Sequence, residues 1–172
     1  VLKAEGLIHE WMLPRADTCD GEIEVTRPNQ MWHTDITYIP IAGTRAYLFT
    51  VLDGYSRYIV HHELCLSMTA RDMERVMAQA LENAGISASD KMPALVSDNG
   101  VQLTAKSFQG LLRRFGIDPR RTAVGHPESN GKIEVFHKTL KYERIYVQDR
   151  YTGFFEAQRD IEQFVCHYNT KR

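Results

Sequence analysis

Apolar and polar positions alternate along the first part of the chain and later change to a helical spacing. Apolar, β-prone runs cover residues 31–41, 47–52 and 58–66, with turn residues between them, which predicts a meander of three antiparallel strands. Apolar positions then recur at intervals of three and four, which predicts a helix that Thr69 caps and Gly85 ends. The first half of the chain therefore predicts three strands and one helix.

The second half of the chain alternates strands with helices. A short apolar run at 94–97 predicts a fourth strand, which should lie parallel to an earlier strand because a helix connects them. A helix that ends at Gly116, a strand near 122–124, a helix that begins near 129–134 and a last helix at about 154–168 complete the order. This order predicts an α/β fold with a mixed five-stranded sheet, three antiparallel strands and then parallel strands, flanked by helices on both faces.

Charge is balanced over the whole chain but not along it. The 172 residues carry a net charge of −1, so any surface that binds a polyanion has to be local. Residues 113–150 hold nine Lys or Arg against five acids, whereas the first thirty residues hold six acids against three basic residues. This asymmetry favours a nucleic-acid partner.

The cysteines and the apolar runs exclude several classes of protein. Cys19, Cys65 and Cys166 are too scattered for a zinc site or a disulfide framework, which fits a reducing cytoplasm. No apolar run approaches the length of a membrane span, and no signal-peptide pattern opens the chain. We therefore expect a cytoplasmic protein that has no membrane partner.

Three carboxylates stand in three different kinds of local sequence. Asp35 lies inside the first apolar run, and Asp98 ends the run that begins at residue 94. Glu134 lies at the start of a helix, with 35 residues between it and Asp98. A charge in a buried strand is costly unless it is paired, and Mg²⁺ prefers carboxylate oxygens. Because the first and fourth strands can lie side by side in the sheet, the pattern predicts a divalent-metal site for chemistry on phosphates.

The strings around the three acids resemble the catalytic core of retroviral integrases and insertion-sequence transposases. The strings are Trp32-His33-Thr34-Asp35, Ser97-Asp98-Asn99-Gly100 and Pro127-Glu128-Ser129-Asn130-Gly131-Lys132-Ile133-Glu134. The gap of 35 residues before the glutamate is also the gap of that superfamily. The segments Asp53–Arg57 and His167–Arg172 are more similar to the bacterial insertion-sequence branch. The resemblance covers residues 27–172.

This resemblance implies an RNase H-like fold that holds two Mg²⁺ ions, with Mn²⁺ as a substitute. Asp35 would bridge both ions, Asp98 would hold one of them and Glu134 the other. The implied activity is metal-dependent DNA cleavage that exposes a 3′-hydroxyl, followed by transfer of that hydroxyl to target DNA. Residues 1–28 are then interpreted as a linker from a missing N-terminal DNA-binding segment. Residues 29–172 are interpreted as a catalytic core that is truncated at its C-terminal end.

The resemblance also implies contacts with double-stranded DNA, both at transposon ends and at the target. Lys138 and Lys141 follow Glu134 by four and seven residues on one helix face, and they match lysines that touch donor DNA. Asn130 matches a polar residue of a mobile active-site loop, and Lys132 is expected to bind DNA as well. The implied assembly is a homodimer or a larger synaptic oligomer in the bacterial cytoplasm, associated with the nucleoid when bound to DNA.

Each residue also has a purely structural interpretation. Asp35 could be a salt-bridged strand acid, and the lysines could form a solvated helix face. His137 and His126 are interpreted as surface histidines. Asp53 is interpreted as a turn residue, because a hairpin centred on Gly43-Thr44 would set Leu52 opposite Asp35 and turn Asp53 to the other face.

Two other functions compete with the transposase hypothesis. A plain RNase H-like nuclease or resolvase would use the same three acids but would cut DNA without strand transfer. A catalytically silent DNA-binding or assembly module would need none of them. The presence of all three acids argues against the silent module.

Overall fold

The computed structural model describes residues 24–87, 89–97, 106–121, 131–147 and 151–171. The elements are β1 (Met31–Ile41), β2 (Thr44–Asp53), β3 (Ile59–Cys65), α1 (Ala70–Asn83), β4 (Ala94–Ser97), α2 (Lys106–Phe115), β5 (Asp118–Arg121), α3 (Gly131–Leu140) and α4 (Phe154–Lys171). A π-helical turn, Lys141–Ile145, continues α3. Most of the predicted linker lies outside the described residues, so its interpretation stays a prediction.

The strands form one mixed sheet in the order β3-β2-β1-β4-β5. The pairs β1–β2 and β2–β3 are antiparallel, and the pairs β1–β4 and β4–β5 are parallel. The predicted sheet and the central pairing of the first and fourth strands are therefore confirmed. In the parallel pair Ser97 lies beside Thr34, so the described part of β4 ends next to the strand position that precedes Asp35.

Helices cover both faces of the sheet, and each face has its own apolar core. The core beneath α3 and α4 includes Ile39, Leu48, Phe136, Leu140 and Phe164. The core beneath α1 and α2 includes Trp32, Phe49, Met73, Leu95 and Phe108. A fully buried side chain of this size contributes about 1.5–3 kcal/mol to folding. β1 supplies side chains to both cores and lies in the interior of the sheet, between β2 and β4.

Local capping signals set the ends of the first two helices. The Thr69 side chain accepts a hydrogen bond from the Asp72 backbone N–H, and the Asp72 side chain accepts one from the Thr69 N–H. This capping box begins α1 as predicted. Gly85 and Gly116 follow α1 and α2 with φ of 65° and 70°, a conformation that glycine adopts at low cost. Both predicted helix ends are confirmed.

The register of the first hairpin differs from the prediction by two residues. Ala42 and Gly43 form the turn, Ile41 pairs with Thr44, and Asp35 therefore lies opposite Thr50, so the expected pairing with Leu52 is wrong. Gly43, within this turn, has a φ of 74°, a left-handed conformation that glycine adopts at low cost. A shift of two residues keeps every side chain on its predicted face.

The fifth strand begins earlier than the sequence predicts. It spans Asp118–Arg121, whereas the predicted strand near 122–124 lies outside the described residues. The chain enters the sheet soon after Gly116, and Pro119 is accepted because β5 is an edge strand that need not donate every N–H. The last helix continues three residues beyond the predicted end at 168. Within the described ranges, no helix is long and apolar enough to cross a bilayer.

Candidate active site

Asp35 lies in the interior strand β1, on the face that α3 covers. Its side chain is 22% exposed, so the carboxylate reaches the surface of the site despite its central strand. One oxygen, Oδ1, accepts a hydrogen bond of 2.8 Å from the backbone N–H of Ile36. The other oxygen, Oδ2, lies 3.2 Å from Nδ1 of His137 in α3. Each oxygen keeps a further lone pair with which it could bind a cation.

His137 is buried and connects two strands to α3. It is 5% exposed, and its Nε2 lies 3.0 Å from the Thr50 hydroxyl while its Nδ1 faces Asp35. The interpretation of His137 as a surface histidine is therefore wrong. The signal was present in the sequence, because His137 follows Ile133 by four residues and belongs to the same buried stripe of the helix.

Glu134 lies in the first turn of α3 and is exposed. It precedes His137 by three residues, so the two side chains are neighbours on the helix, with Cβ atoms roughly 5–6 Å apart. His137 contacts Asp35, so Glu134 lies within one helical turn of a side chain that touches Asp35. Carboxylates are donors that suit a hard divalent cation.

The third predicted ligand, Asp98, lies outside the described residues, as do Asn130 and His126. The described part of β4 ends at Ser97, beside Thr34. Among the described residues no group of three His, Cys, Asp or Glu side chains could hold a metal ion. Asp35 and Glu134 thus lie on β1 and on the helix that packs against it, and the metal-binding roles of all three acids stay predictions.

The three described lysines of the predicted DNA surface differ in their surroundings. Lys138 is exposed and Lys141 is half-buried on the continuation of the same helix. Lys132 is half-buried, and its Nζ donates a hydrogen bond to the backbone carbonyl of Gly54 in the turn between β2 and β3. This contact joins the first turn of α3 to the sheet, and sequence reasoning missed it.

Asp53, the fourth acid considered from the sequence, is occupied by its own turn. It is 2% exposed and accepts hydrogen bonds from the Asn29 N–H at 2.8 Å, the Ser56 N–H at 2.8 Å and the Ser56 hydroxyl at 2.6 Å. Three donors satisfy most of its acceptor capacity. The interpretation of Asp53 as a turn residue is confirmed.

His62 extends this region across the sheet, because it lies opposite Thr50 in the β2–β3 pair. Burial lowers the pKa of His62 to about 4, and the neighbouring His61 acts in the same direction while Glu162 opposes it. His62 is therefore neutral near pH 7. His62 therefore adds no positive charge next to Thr50 near pH 7.

The comparisons with known proteins agree with this architecture. The mixed sheet with helices on both faces is the RNase H-like fold of integrase and transposase catalytic cores. Residues 25–127 match the Integrase core domain family model, and residues 115–172 match a second model of the same description. The chain belongs to the integrase core domain family. The resemblance stated from the sequence motifs is confirmed.

Curated relatives are transposases of bacterial insertion sequences. The chain is 31% identical over 163 residues to the transposase for insertion sequence element IS904 of Lactococcus lactis, covering 93% of this chain and 62% of that protein. It is 27% identical over 151 residues to the putative transposase InsK for IS150 of Escherichia coli, covering 88% of this chain and 52% of that protein. The chain therefore spans about half to three-fifths of the length of these relatives.

A solved structure gives the same result for the fold. The HTLV-2 integrase catalytic core domain in complex with magnesium, in its dimeric form, superposes with a TM-score of 0.60 at 16% identity. The alignment covers 87% of this chain and 90% of that chain. At this identity the likeness establishes the fold alone.

Proposed function

We propose that this chain is the catalytic core of a bacterial insertion-sequence transposase, which cuts DNA to expose a 3′-hydroxyl and transfers that hydroxyl to target DNA. The observation that supports the proposal is the packing of α3 on β1 through the contact between His137 and Asp35. The helix that carries Glu134 thereby lies against the strand that carries Asp35, 99 positions earlier in the sequence. The family and the transposase relatives support the same activity.

Asp35, Glu134 and Asp98 would hold two Mg²⁺ ions, or Mn²⁺ in their place. Such a pair of ions would stabilise the attacking and the leaving oxygen of a phosphodiester. The described donors fit hard cations, since they are carboxylates with free lone pairs at an exposed edge. The magnesium in the HTLV-2 integrase core supports this assignment.

The positively charged side chains of α3 would bind the DNA backbone. Lys138 and Lys141 follow Glu134 on one helix face, so phosphates held there would lie next to the acids. Asn130 would contact DNA from the segment that precedes α3. Lys132 should contribute less to DNA binding, because its ammonium group already binds the Gly54 carbonyl.

The protein would act as a homodimer or a larger assembly, because two transposon ends have to be joined in one event. The dimeric form of the HTLV-2 core is consistent with this arrangement. The site of action would be the bacterial cytoplasm, at the nucleoid when DNA is bound.

A joining assay on branched DNA with Mg²⁺ or Mn²⁺ tests the proposal. Asp35→Asn, Asp98→Asn and Glu134→Gln should each reduce cleavage and joining to background, because each removes a ligand charge that the metal ions need. Melting without metal should stay near or above that of the wild type, since the change removes repulsion between like charges. Glu82→Gln, an exposed acid on α1 at the opposite face of the sheet, is the matched control.

The outcomes of this assay separate the competing functions. Retained joining in any of the three variants would remove that residue from the site. Hydrolysed product without joined strands from the wild type would favour a nuclease. Absence of both products, also from a longer protein that contains this chain, would favour the silent DNA-binding module.

A further inference from the structure

We propose that His137 is a positioning residue that orients the Asp35 carboxylate for metal binding, and that Thr50 in turn orients His137. The inference rests on the proposed function, because it assigns a role relative to the predicted metal site. Its basis is the chain of contacts Asp35 Oδ2 to His137 Nδ1 at 3.2 Å and His137 Nε2 to Thr50 Oγ1 at 3.0 Å.

The carboxylate of Asp35 determines the direction of the first contact. An ionised carboxylate only accepts hydrogen bonds, so Nδ1 of His137 has to carry the proton that faces Asp35. The Thr50 hydroxyl lies 3.0 Å from Nε2 and donates to it in the tautomer that carries its proton on Nδ1. Oδ1 of Asp35 is held separately by the N–H of Ile36. Both carboxylate oxygens are therefore fixed by donors that belong to the protein.

The surroundings leave the imidazole ring little freedom. His137 is 5% exposed and Thr50 is fully buried, and the Phe136 ring centroid lies 5.6 Å from that of His137. Rotation of the ring would leave buried nitrogen atoms without partners, which is costly. Thr50 is itself constrained, because it lies opposite Asp35 in the hairpin and its carbonyl accepts a hydrogen bond of 3.0 Å from the Thr34 hydroxyl.

The ring therefore links the strand that carries Asp35 to the helix that carries Glu134. A support of this kind, which holds a ligand without touching the metal, typically changes metal affinity by about 10–100-fold when it is removed. Without His137 the Asp35 carboxylate would keep only the hydrogen bond from the Ile36 N–H, and its χ2 angle would be less restricted. The contact with His137 keeps the free lone pairs of Asp35 directed at one place.

Two substitutions separate positioning from space filling. In His137→Asn the side-chain amide can occupy the place of Nδ1 and still donate to Asp35. In His137→Gln the amide reaches the place of Nε2 near Thr50 and leaves Asp35 without its donor. We expect Mn²⁺ affinity, measured by electron paramagnetic resonance without DNA, to fall by about 10–100-fold for Gln and by clearly less for Asn. Equal affinities in both variants, or a tighter Gln variant, would overturn the inference.

Thr50→Val removes the hydroxyl and keeps the side-chain shape, so it tests the second contact. We expect Mn²⁺ affinity to fall, as it does for His137→Gln.

The nitrogen chemical shifts of His137 in the wild type supply a measurement that needs no variant. Nδ1 should carry a proton, and a ring with a bare Nδ1 would overturn the inference. If the Gln variant fails to fold, the Val variant and the chemical shifts decide.

Asp35→Asn distinguishes the failure of this inference from the failure of the proposed function. If wild type and Asp35→Asn bind Mn²⁺ equally, or if neither binds it, the metal site itself is wrong and both proposals fall. If Asp35→Asn loses the metal while His137→Gln and Thr50→Val bind it as the wild type does, only the positioning role is overturned.

Discussion

Replacement of Lys132 by Gln tests whether this lysine serves the fold or the nucleic acid. Its ammonium group binds the carbonyl of Gly54, which lies 78 residues earlier in the β2–β3 turn. The contact joins the start of α3 to the sheet two residues before Glu134. Loss of the contact should therefore lower the stability of the folded protein even in the absence of DNA.

The size of the effect follows from the type of bond. A hydrogen bond that involves a charged group contributes about 1.5–3 kcal/mol when it is well buried. Lys132 is only partly buried, so we expect a decrease of about 1–2 kcal/mol in the free energy of unfolding. For a chain of this length each kcal/mol changes the melting temperature by roughly 2–4 °C. The expected decrease is therefore about 2–8 °C.

Stability is measured by urea unfolding, and DNA binding is measured at several salt concentrations, for both Lys132→Gln and Lys138→Gln. The exposed Lys138 supplies the control. Lys138→Gln should change stability by less than about 0.5 kcal/mol, and the salt slope of DNA binding should decrease by about one if it contacts a phosphate. A Lys132→Gln variant with wild-type stability and a reduced salt slope would refute the reasoning, because Lys132 would then act mainly on DNA.

Two further predictions concern one buried and one partly buried polar group. Asp53→Ala removes the acceptor of three hydrogen bonds and should lower the free energy of unfolding by about 2–4 kcal/mol. Its Mn²⁺ affinity should stay unchanged. Loss of metal binding in the folded variant would place Asp53 in the site. Burial lowers the pKa of His62 from 6.5 to about 4. As the pH falls through this interval, His62 therefore takes up a proton in the unfolded chain but not in the folded protein. The free energy of unfolding should then decrease by up to about 3 kcal/mol. Urea unfolding of His62→Gln at pH 7 and pH 4.5 should show a smaller decrease, and an unchanged decrease would contradict the assignment.

Local signals explain which parts of the fold could be predicted. The capping box at Thr69 and the glycine at position 85 act within a few residues, and the predicted α1 agrees with the structure. The start of β5 was missed because Pro119 disfavours a strand, and only the edge position in the finished sheet makes it acceptable. The hairpin register was missed because the choice of Gly43 as the left-handed residue depends on the pairing of both strands.

The candidate site shows the same division between local and distant information. Asp35 and Glu134 could be proposed from the sequence, because a charge in an apolar run and an acid in a first helical turn are visible locally. The groups that hold them in place are not visible there. His137 contacts Asp35 across 102 residues and Thr50 across 87 residues. No spacing rule links such positions, and only the packing of α3 on the sheet brings them together.

These distant contacts indicate that β2 and the turn after it determine the position of Glu134. Lys132 precedes Glu134 by two residues and binds Gly54, whereas His137 follows Glu134 by three residues and binds Thr50. The first half of α3 is thus attached to the sheet on both sides of the glutamate. Since β2 also pairs with β1 along Asp35, one strand sets the position of both acids. The geometry of the site should therefore depend on β2 as strongly as on the segments that carry the acids.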